Sequence, residues 1–207
     1  MKVNPILYKD FDDLCANTYL VIDSLNQCVV IDPSKKYDGI VNYIKTNNLT
    51  LKGILLTHSH ADHFRGVESL PDSFNVPVYI GFYDEPALSD PMLNCSFMFE
   101  NKVVLKRKVE TLSDNQSLDL LEEKIDVIET PYHTIGSVCY YFKESKLLFS
   151  GDSLFYNSIG RYDLPTSDRS KIESSLQKIL SLPEDVRVYP GHGLFTKIKV
   201  EKEFHGK

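Results

Sequence analysis

Short apolar runs separated by polar turns recur along the whole chain of 207 residues. Two runs near the start, Asn17–Asp23 and Gln27–Asp32, are rich in β-branched residues and flank the polar turn Ser24–Asn26, which predicts a β-hairpin. Later runs predict six further strands, which are Gly53–Leu56, Val76–Ile80, Ile125–Glu129, Val138–Phe142, Lys146–Phe149 and Val186–Tyr189.

Helical periodicity marks several segments between these strands. Apolar residues follow an i, i+3, i+4, i+7 spacing from Tyr37 to Ile44, so Tyr37 to about Asn47 is predicted to form an amphipathic helix. Two more helices are predicted, one over Phe64–Leu70 and one from about Ser167 to Leu180, and residues 84–99 are interpreted as a loop with a short helix. This order of elements favours sheets in the middle with helices outside.

The net charge of −6 gives the chain no electrostatic attraction to nucleic acid or to an anionic membrane. No apolar run approaches the ~20 residues that a membrane-spanning helix needs. We therefore expect neither nucleic acid nor membrane as a partner. Met1–Asp13 lacks the apolar segment of a signal peptide, and Cys15, Cys28, Cys95 and Cys139 contain no CxxC pair, which predicts reduced thiols in a cytoplasmic protein.

The segment Thr57–His63 concentrates candidate chemistry, because His58, His60, Asp62 and His63 follow one short apolar run. On extended backbone, side chains two apart share a face, so His58 and His60 can bind one ion together. Asp62 and His63 follow as the chain turns into a helix, so they point elsewhere and can serve a second ion.

Each of the two ions needs a further ligand from a distant segment, and His133 and His192 are the candidates. Two neighbouring cations repel each other, and a shared carboxylate offsets that repulsion. Asp152 follows the strand Lys146–Phe149 and is well placed for this bridging role. Paired metals of this kind typically lie ~3.5–4 Å apart and hold a hydroxide between them.

This order of ligands resembles that of the metallo-β-lactamase superfamily, in which HxHxDH is followed by a single His, an Asp and a final His. The segments Gly151–Phe155 and Ile159–Leu164 are similar to those of small glyoxalase II-like hydrolases. The resemblance implies an α/β fold, the αββα sandwich of two mixed β-sheets with helices on the outer faces, in a single domain over residues 1–207. It also implies the ion assignment: His58, His60 and His133 hold one ion, Asp62, His63 and His192 hold the other, and Asp152 bridges.

The resemblance further implies a metal-dependent hydrolase in which a metal-bound hydroxide attacks a thioester or ester, with no catalytic protein side chain identified. We expect two divalent ions, zinc first with iron and manganese as alternatives, and a small acyl substrate, such as a thiol conjugate, in a monomer or homodimer. Arg161 and Tyr162 are candidate substrate-binding residues. The structural alternatives are that Arg161 is a surface arginine and that Tyr162 is a buried aromatic ring.

The chain departs from the family pattern at two places. Tyr132 and Ile135 stand where the family more often has Gly and Pro, and Tyr132 is expected to narrow the cleft beside His133. The chain ends 15 residues after His192, so we expect no C-terminal helical domain that binds glutathione.

Several alternatives stay open. The first is a persulfide dioxygenase-like mononuclear iron oxidoreductase, which needs three protein ligands and leaves His63 and His192 spare. A β-lactamase role is disfavoured by the missing export signal, and a metal-bearing binding module is the non-enzymatic reading. Asp62 is also a candidate helix N-cap, Asp32 is interpreted as a turn former before a proline, and His205 as part of a charged tail.

Overall fold

The structure, a computed structural model, describes residues 1–6, 15–35, 38–70 and 74–206. The strands in these residues are β1 (Lys2–Ile6), β2 (Thr18–Ile22), β3 (Gln27–Ile31), β4 (Thr50–Leu55), β5 (Val78–Gly81), β6 (Glu110–Leu112), β7 (Ser117–Leu118), β8 (Ile125–Glu129), β9 (Val138–Phe142), β10 (Leu147–Gly151), β11 (Arg187–Pro190) and β12 (Thr196–Lys197). The α-helices are α1 (Asp38–Thr46), α2 (Ala61–Phe64), α3 (Ile172–Leu180) and α4 (Ile198–His205), and 3₁₀ turns cover Val67–Ser69, Phe82–Ser89, Ser96–Met98 and Arg169–Lys171.

The strands form two sheets, one with the order β1-β2-β3-β4-β5-β6 and one with the order β12-β11-β10-β9-β8-β7. In the first sheet, β1, β2 and β3 pair antiparallel, whereas β3, β4, β5 and β6 pair parallel. In the second sheet, β10 and β11 pair parallel and the other neighbours pair antiparallel. Both sheets are therefore mixed, as predicted.

The inner faces of the two sheets pack against each other and form the central core. On β2 and β3, Val21 and Val29 point into this core, and on the second sheet Tyr140 and Phe149 meet them. The alternation follows from the period of two along a strand, which turns every second side chain inward.

The outer faces of both sheets are covered by helices. The intervening residues of the first sheet, such as Val30, pack against Ile40 and Ile44 of α1. On the second sheet, Leu148 and Val188 pack against Ile179 of α3 and Ile198 of α4. The four layers confirm the predicted αββα sandwich.

Most predicted elements are confirmed within two or three residues at their ends. The hairpin forms between β2 and β3, strands β8 and β9 have the predicted bounds, and the amphipathic helix is α1. Tyr37, where that helix was predicted to begin, lies outside the described residues. None of the four cysteines, all of them described, forms a disulfide, and Cys28, Cys95 and Cys139 are buried.

Some predictions are wrong, and several elements were missed. The predicted helix Phe64–Leu70 is two short pieces, α2 and the 3₁₀ turn Val67–Ser69, because helix α2 already starts at Ala61 within the histidine motif. His205 belongs to helix α4 and not to a loose tail, since Ile198 anchors this helix in the core. The edge strands β1, β6, β7 and β12 were not predicted. The residues of β6, β7 and β12 do not form a strong apolar run. Among the described residues, no helix has the length and apolar character needed to cross a bilayer.

Two buried tyrosines tie the sheets together beside the strand ends. The Tyr140 hydroxyl donates to the Leu56 carbonyl oxygen, just after β4, at 2.8 Å. In the opposite direction, the Tyr19 hydroxyl donates to the carbonyl oxygen of Pro190, at the end of β11, at 2.5 Å. The carboxyl ends of β4 and β11 are therefore fixed relative to each other, and each leads into a loop that carries candidate ligands.

A close backbone crossing between Gly81 and Gly136 supplies a test of this packing. A Cβ atom added to Gly81 would lie 2.0 Å from the Gly136 carbonyl oxygen. We expect Gly81→Ala to lower the free energy of unfolding by ~1–3 kcal/mol, as overpacked sites do, measured by urea denaturation. Gly53→Ala is the control, because its Cβ would first meet side-chain atoms of Leu120 and Tyr79 at 3.1 and 3.2 Å. Equal losses in both variants would contradict this role of the crossing.

Candidate metal centre

The histidine motif leaves the buried end of β4, bends at Thr57 and His58, and is extended at His60. His60 has φ −69° and ψ 138° and immediately precedes α2, to which it contributes no side-chain cap. Asp62 lies inside the first turn of α2, so it is not the N-cap residue that the sequence suggested as an alternative. Its carboxylate therefore does not cap the helix, and it faces His63 and His192.

Three imidazoles converge in the first half of the site. The Nδ1 atom of His60 lies 3.1 Å from Nε2 of His58 and 2.9 Å from Nε2 of His133. Four ligands around one tetrahedral zinc ion, each ~2.0–2.1 Å from the metal, lie ~3.3 Å from one another. The spacing of these three nitrogens therefore fits a single ion.

Asp62, His63 and His192 form the second half. The Oδ2 atom of Asp62 lies 3.1 Å from Nε2 of His192 and 3.7 Å from Nε2 of His63. The three ligand atoms lie within 4.8 Å of one another. His192 lies at the outer rim, since 36% of its side chain is exposed and that of His63 is fully buried.

Asp152 lies between the two halves. One carboxylate oxygen, Oδ1, is 3.4 Å from Nε2 of His63, and the other, Oδ2, is 3.5 Å from Nε2 of His133. Oδ2 also lies 3.7 Å from Nε2 of His192, so the carboxylate lies within 4 Å of histidines from both halves, as expected of a bridging carboxylate. The structure brings together all seven predicted ligands, His58, His60, Asp62, His63, His133, Asp152 and His192.

Unpartnered polar atoms and a narrow backbone clearance indicate that this cluster is built around a cation. Nε2 of His63 and Oδ1 of Asp152 are buried and have no hydrogen-bond partner among the described residues. Leaving such groups unpaired costs free energy, which a bound cation would offset. A Cβ atom on Gly191 would lie 2.2 Å from Oδ1 of Asp152, so only glycine lets the backbone approach the carboxylate this closely.

The ligand cluster opens into a cleft of about 270 Å³. Its lining residues are His60, Asp62, Cys95, Met98, Phe99, His133, Asp152, Phe155, Arg161, Leu164 and His192. The predicted substrate-binding residue Arg161 is in this lining. Tyr162 is not, and its ring packs under the guanidinium of Arg169, 5.3 Å from the ring centre.

Comparison with known proteins agrees with this geometry. The family model described as the metallo-beta-lactamase superfamily matches residues 12–192. The chain belongs to this superfamily. It is 35% identical over 190 residues to the probable metallo-hydrolase YqgX of Bacillus subtilis (strain 168), which covers 91% of this chain and 90% of the relative.

Two solved structures of the superfamily are similar over almost the whole chain. The crystal structure of the BLEG-1 B3 metallo-beta-lactamase has a TM-score of 0.89 and 34% identity, covering 98% of this chain and 97% of that one. The crystal structure of TTHA1623 in a di-iron-bound form has a TM-score of 0.85 and 33% identity, covering 97% and 98%.

Burial keeps two imidazoles of the first half, those of His58 and His60, neutral. Desolvation, together with the neighbouring imidazoles, holds the pKa of His58 well below its usual range and lowers the pKa of His60 to about 3. Both rings are therefore neutral near pH 7, and a neutral imidazole is the form that binds metal ions.

Charges dominate the second half. Burial alone would raise the pKa of Asp152, but His192, His63 and His133 outweigh it and hold this pKa well below the usual range. Burial would likewise lower the pKa of His63, but Asp32, Asp62 and Asp152 raise it well above the usual range. The three carboxylates thus stabilise positive charge on His63. A divalent cation would supply positive charge at the same place.

Asp32 was interpreted as a turn former, and the structure gives its carboxylate a larger role. Its φ of +48° fits a turn, yet Oδ2 accepts from Thr57 Oγ1 at 2.7 Å and from Nδ1 of His63 at 2.9 Å. Because Thr57 Oγ1 donates to Asp32, it accepts from Nδ1 of His58 at 3.2 Å. Both imidazoles therefore carry their proton on Nδ1, and Nε2 is left to bind an ion.

The position of Asp32 in the fold is the signal that could have revealed this role. It directly follows β3, the parallel neighbour of β4, so its side chain emerges at the same sheet edge as the histidine motif. Carboxyl ends of neighbouring parallel strands lie together, which makes such an acidic residue a candidate partner of the ligands.

Asp84 is a second carboxylate that the sequence analysis missed. It is fully buried and accepts from the backbone N–H of Ser59 at 2.8 Å, from the Thr134 hydroxyl at 2.7 Å and from the backbone N–H of Gly136 at 2.8 Å. These donors flank His58, His60 and His133, which together form the first triad. One carboxylate therefore joins the two loops that carry this triad. No local sequence signal identifies Asp84.

Tyr132 lies behind His133, which corrects the expectation that it narrows the cleft. Its ring is fully buried, and its hydroxyl donates to the Ser153 carbonyl oxygen at 2.5 Å and accepts from the backbone N–H of Gly160 at 3.1 Å. Nδ1 of His133 donates to the Arg161 carbonyl oxygen at 2.7 Å. The tyrosine therefore joins the loop of His133 to the loop of Asp152.

Replacing Asp32 tests its control of the ligand protons. In Asp32→Asn, a neutral amide replaces the carboxylate that accepts hydrogen bonds from Thr57 and His63. We expect metal affinity to fall ~10–100-fold, as for other partners of ligating histidines. Titration against a competing chelator measures the affinity. Asp185→Asn, at an exposed ion pair with Lys146, is the control. Unchanged affinity in a folded Asp32→Asn protein would contradict this role.

Replacing Asp84 tests the first triad by itself. An asparagine at this position leaves one backbone N–H, of Ser59 or of Gly136, without an acceptor, so we expect the loops of His60 and His133 to separate. The folded Asp84→Asn protein should lose one ion during dialysis against chelator and retain the other. Loss of both ions together, or of neither, in metal analysis would show that Asp84 does not act on this triad.

Proposed function

We propose that this protein is a metal-dependent hydrolase of a small thioester or ester, similar to glyoxalase II-like enzymes. One observation carries the proposal: two ligand clusters share the carboxylate of Asp152 at the base of an open cleft. In this proposal His58, His60 and His133 hold one ion, Asp62, His63 and His192 hold the other, and Asp152 bridges them.

The donor set guides the choice of ions. Five imidazole nitrogens and two carboxylates suit zinc, and iron or manganese accept the same ligands. The di-iron form of TTHA1623 supports two occupied sites in a protein of this fold. We propose zinc as the first candidate for this chain.

If bound by these residues, two divalent ions would supply a nucleophilic hydroxide near neutral pH and would polarise the carbonyl oxygen of the substrate. The protein keeps His58 and His60 neutral, sets their geometry through Asp32 and Asp84, and opens the cluster on one side only. In the overall reaction water adds to the acyl carbon, the carbon–sulfur or carbon–oxygen bond breaks, and a carboxylic acid and a thiol or alcohol leave.

No serine or cysteine nucleophile is required. Cys95 is the one thiol among the residues that line the cleft, and burial raises its pKa to about 11. It is therefore protonated at neutral pH and a weak nucleophile. All residues that line the described cleft belong to the αββα sandwich.

The test is an assay of the metal-loaded protein against a panel of acyl thioesters and esters. We expect turnover, and we expect it to fall below detection in Asp152→Ala, because the shared carboxylate is lost while the other ligands remain. Asp185→Asn serves as the control with unchanged activity. Absence of turnover with every substrate, while two ions per chain are measured, would refute the proposed function.

Two alternatives have distinct outcomes in the same experiments. The similarity to BLEG-1 justifies adding a β-lactam to the panel. Hydrolysis of that compound alone would assign an amide substrate in place of a thioester or ester. The mononuclear iron oxidoreductase predicts one iron per chain and oxygen consumption with a persulfide. The contact of Asp32 with His63 favours two ions, since it orients a histidine that a single-ion site leaves spare.

A further inference from the structure

The walls of the cleft differ in character from its base. Five of the eleven lining residues are candidate metal ligands. The other six are Cys95, Met98, Phe99, Phe155, Arg161 and Leu164. Apart from Arg161, the surface beside the ligand cluster is therefore made of apolar side chains and a protonated thiol.

One group of these apolar residues is fixed to the histidine motif. Met98 and Phe99 follow the fully buried Asn94, whose side-chain oxygen accepts from the backbone N–H of Ser96 at 2.9 Å. The carbonyl oxygen of Asn94 accepts from the backbone N–H of Ala61, inside the motif, at 2.9 Å. This part of the wall is therefore tied to the ligands by backbone hydrogen bonds.

The other group is fixed to the loop of His133. The backbone N–H of Leu164 donates to the Ser167 hydroxyl at 3.2 Å, and that hydroxyl donates to the His133 carbonyl oxygen at 2.8 Å. Phe155 lies close to the last ligand, with its ring centre 6.3 Å from that of His192. The apolar surface is thus preformed around the ligand cluster.

The charge of Arg161 is already matched. Its guanidinium donates to both carboxylate oxygens of Asp163, at 2.7 and 2.9 Å. It is also the only lysine or arginine among the lining residues of the described cleft. The neighbouring Asp163 carboxylate uses two of the five guanidinium N–H donors and offsets the positive charge, so the walls offer reduced attraction for an anionic group.

On the basis of the proposed hydrolase function, we propose that the group attached to the substrate carbonyl is an uncharged apolar chain or ring. This group lies against Met98, Phe99, Phe155 and Leu164, while the carbonyl faces the ligand cluster. The cleft volume of about 270 Å³ equals that of roughly nine water molecules. The substrate class is therefore a medium-length aliphatic or aromatic acyl thioester or ester.

The first experiment compares acyl chains on one neutral thiol. The acetyl, butanoyl, hexanoyl and succinyl thioesters of N-acetylcysteamine are assayed with the metal-loaded protein. We expect kcat/KM to rise roughly fourfold for each added methylene, because burying a CH₂ group contributes about 0.8 kcal/mol. The succinyl compound, which has the same chain length as the butanoyl compound with a terminal carboxylate, should be the poorer substrate.

Two methionines of the same segment provide a matched pair of variants. Met98 lines the cleft and Met92 does not, and both side chains are largely exposed, so neither variant threatens folding. Met98→Ala should flatten the dependence of kcat/KM on chain length, and Met92→Ala should leave it unchanged. Equal effects of both variants would overturn the proposed wall.

Binding of unreactive alkyl carboxamides separates this inference from the proposed function. Calorimetry should show affinity rising from acetamide to hexanamide in the native protein and a weaker rise in Met98→Ala. If thioesters are hydrolysed with no dependence on chain length, or with preference for succinyl, the inference fails and the function stands. If no thioester is hydrolysed, the carboxamide series decides alone. An affinity that rises with chain length, and rises less in Met98→Ala, supports the apolar contact surface. An affinity that does not change with chain length overturns it.

Discussion

Imidazoles and carboxylates placed side by side in a buried site cost free energy unless their charges and lone pairs are matched. This constraint governs the site, because the seven candidate ligands meet within a few ångströms at the ends of β4, β8, β10 and β11. Desolvation keeps His58 and His60 neutral, whereas neighbouring carboxylates raise the pKa of His63. In the proposed function, a pair of divalent cations would satisfy both halves at once.

The sandwich meets this constraint by fixing strand ends rather than single side chains. Tyr19 and Tyr140 cross between the sheets and bind carbonyl oxygens next to the ligand loops. Asp32 then sets the proton positions on the imidazoles of His58 and His63, and Asp84 joins the two loops of the first triad. The imidazoles of His58, His63 and His133 are therefore each oriented by a contact at Nδ1, which favours a fixed spacing of the cluster.

The candidate ligands that the structure brings together could be recognised from the sequence because their chemistry is local and their residue types are unusual. The segment from His58 to His63 has a spacing that only a few site geometries satisfy, and its partners each follow a recognisable strand. Asp84 could not be found this way, since its importance arises from a contact with Ser59 and Gly136 across distant segments. The short edge strands β6, β7 and β12 were missed for the same reason: pairing with a neighbour, and not local propensity, makes them strands.

The site divides its work between charged and apolar residues. In the proposed function the ligand cluster explains how water would be activated, but it does not by itself select a particular acyl group. Selection must therefore come from side chains that touch the rest of the substrate. Arg161 was the natural candidate from sequence, yet its bidentate pair with Asp163 leaves its charge matched. The apolar side chains of Met98, Phe99, Phe155 and Leu164 line the cleft beside the ligand cluster, so they are better suited to cover an uncharged group.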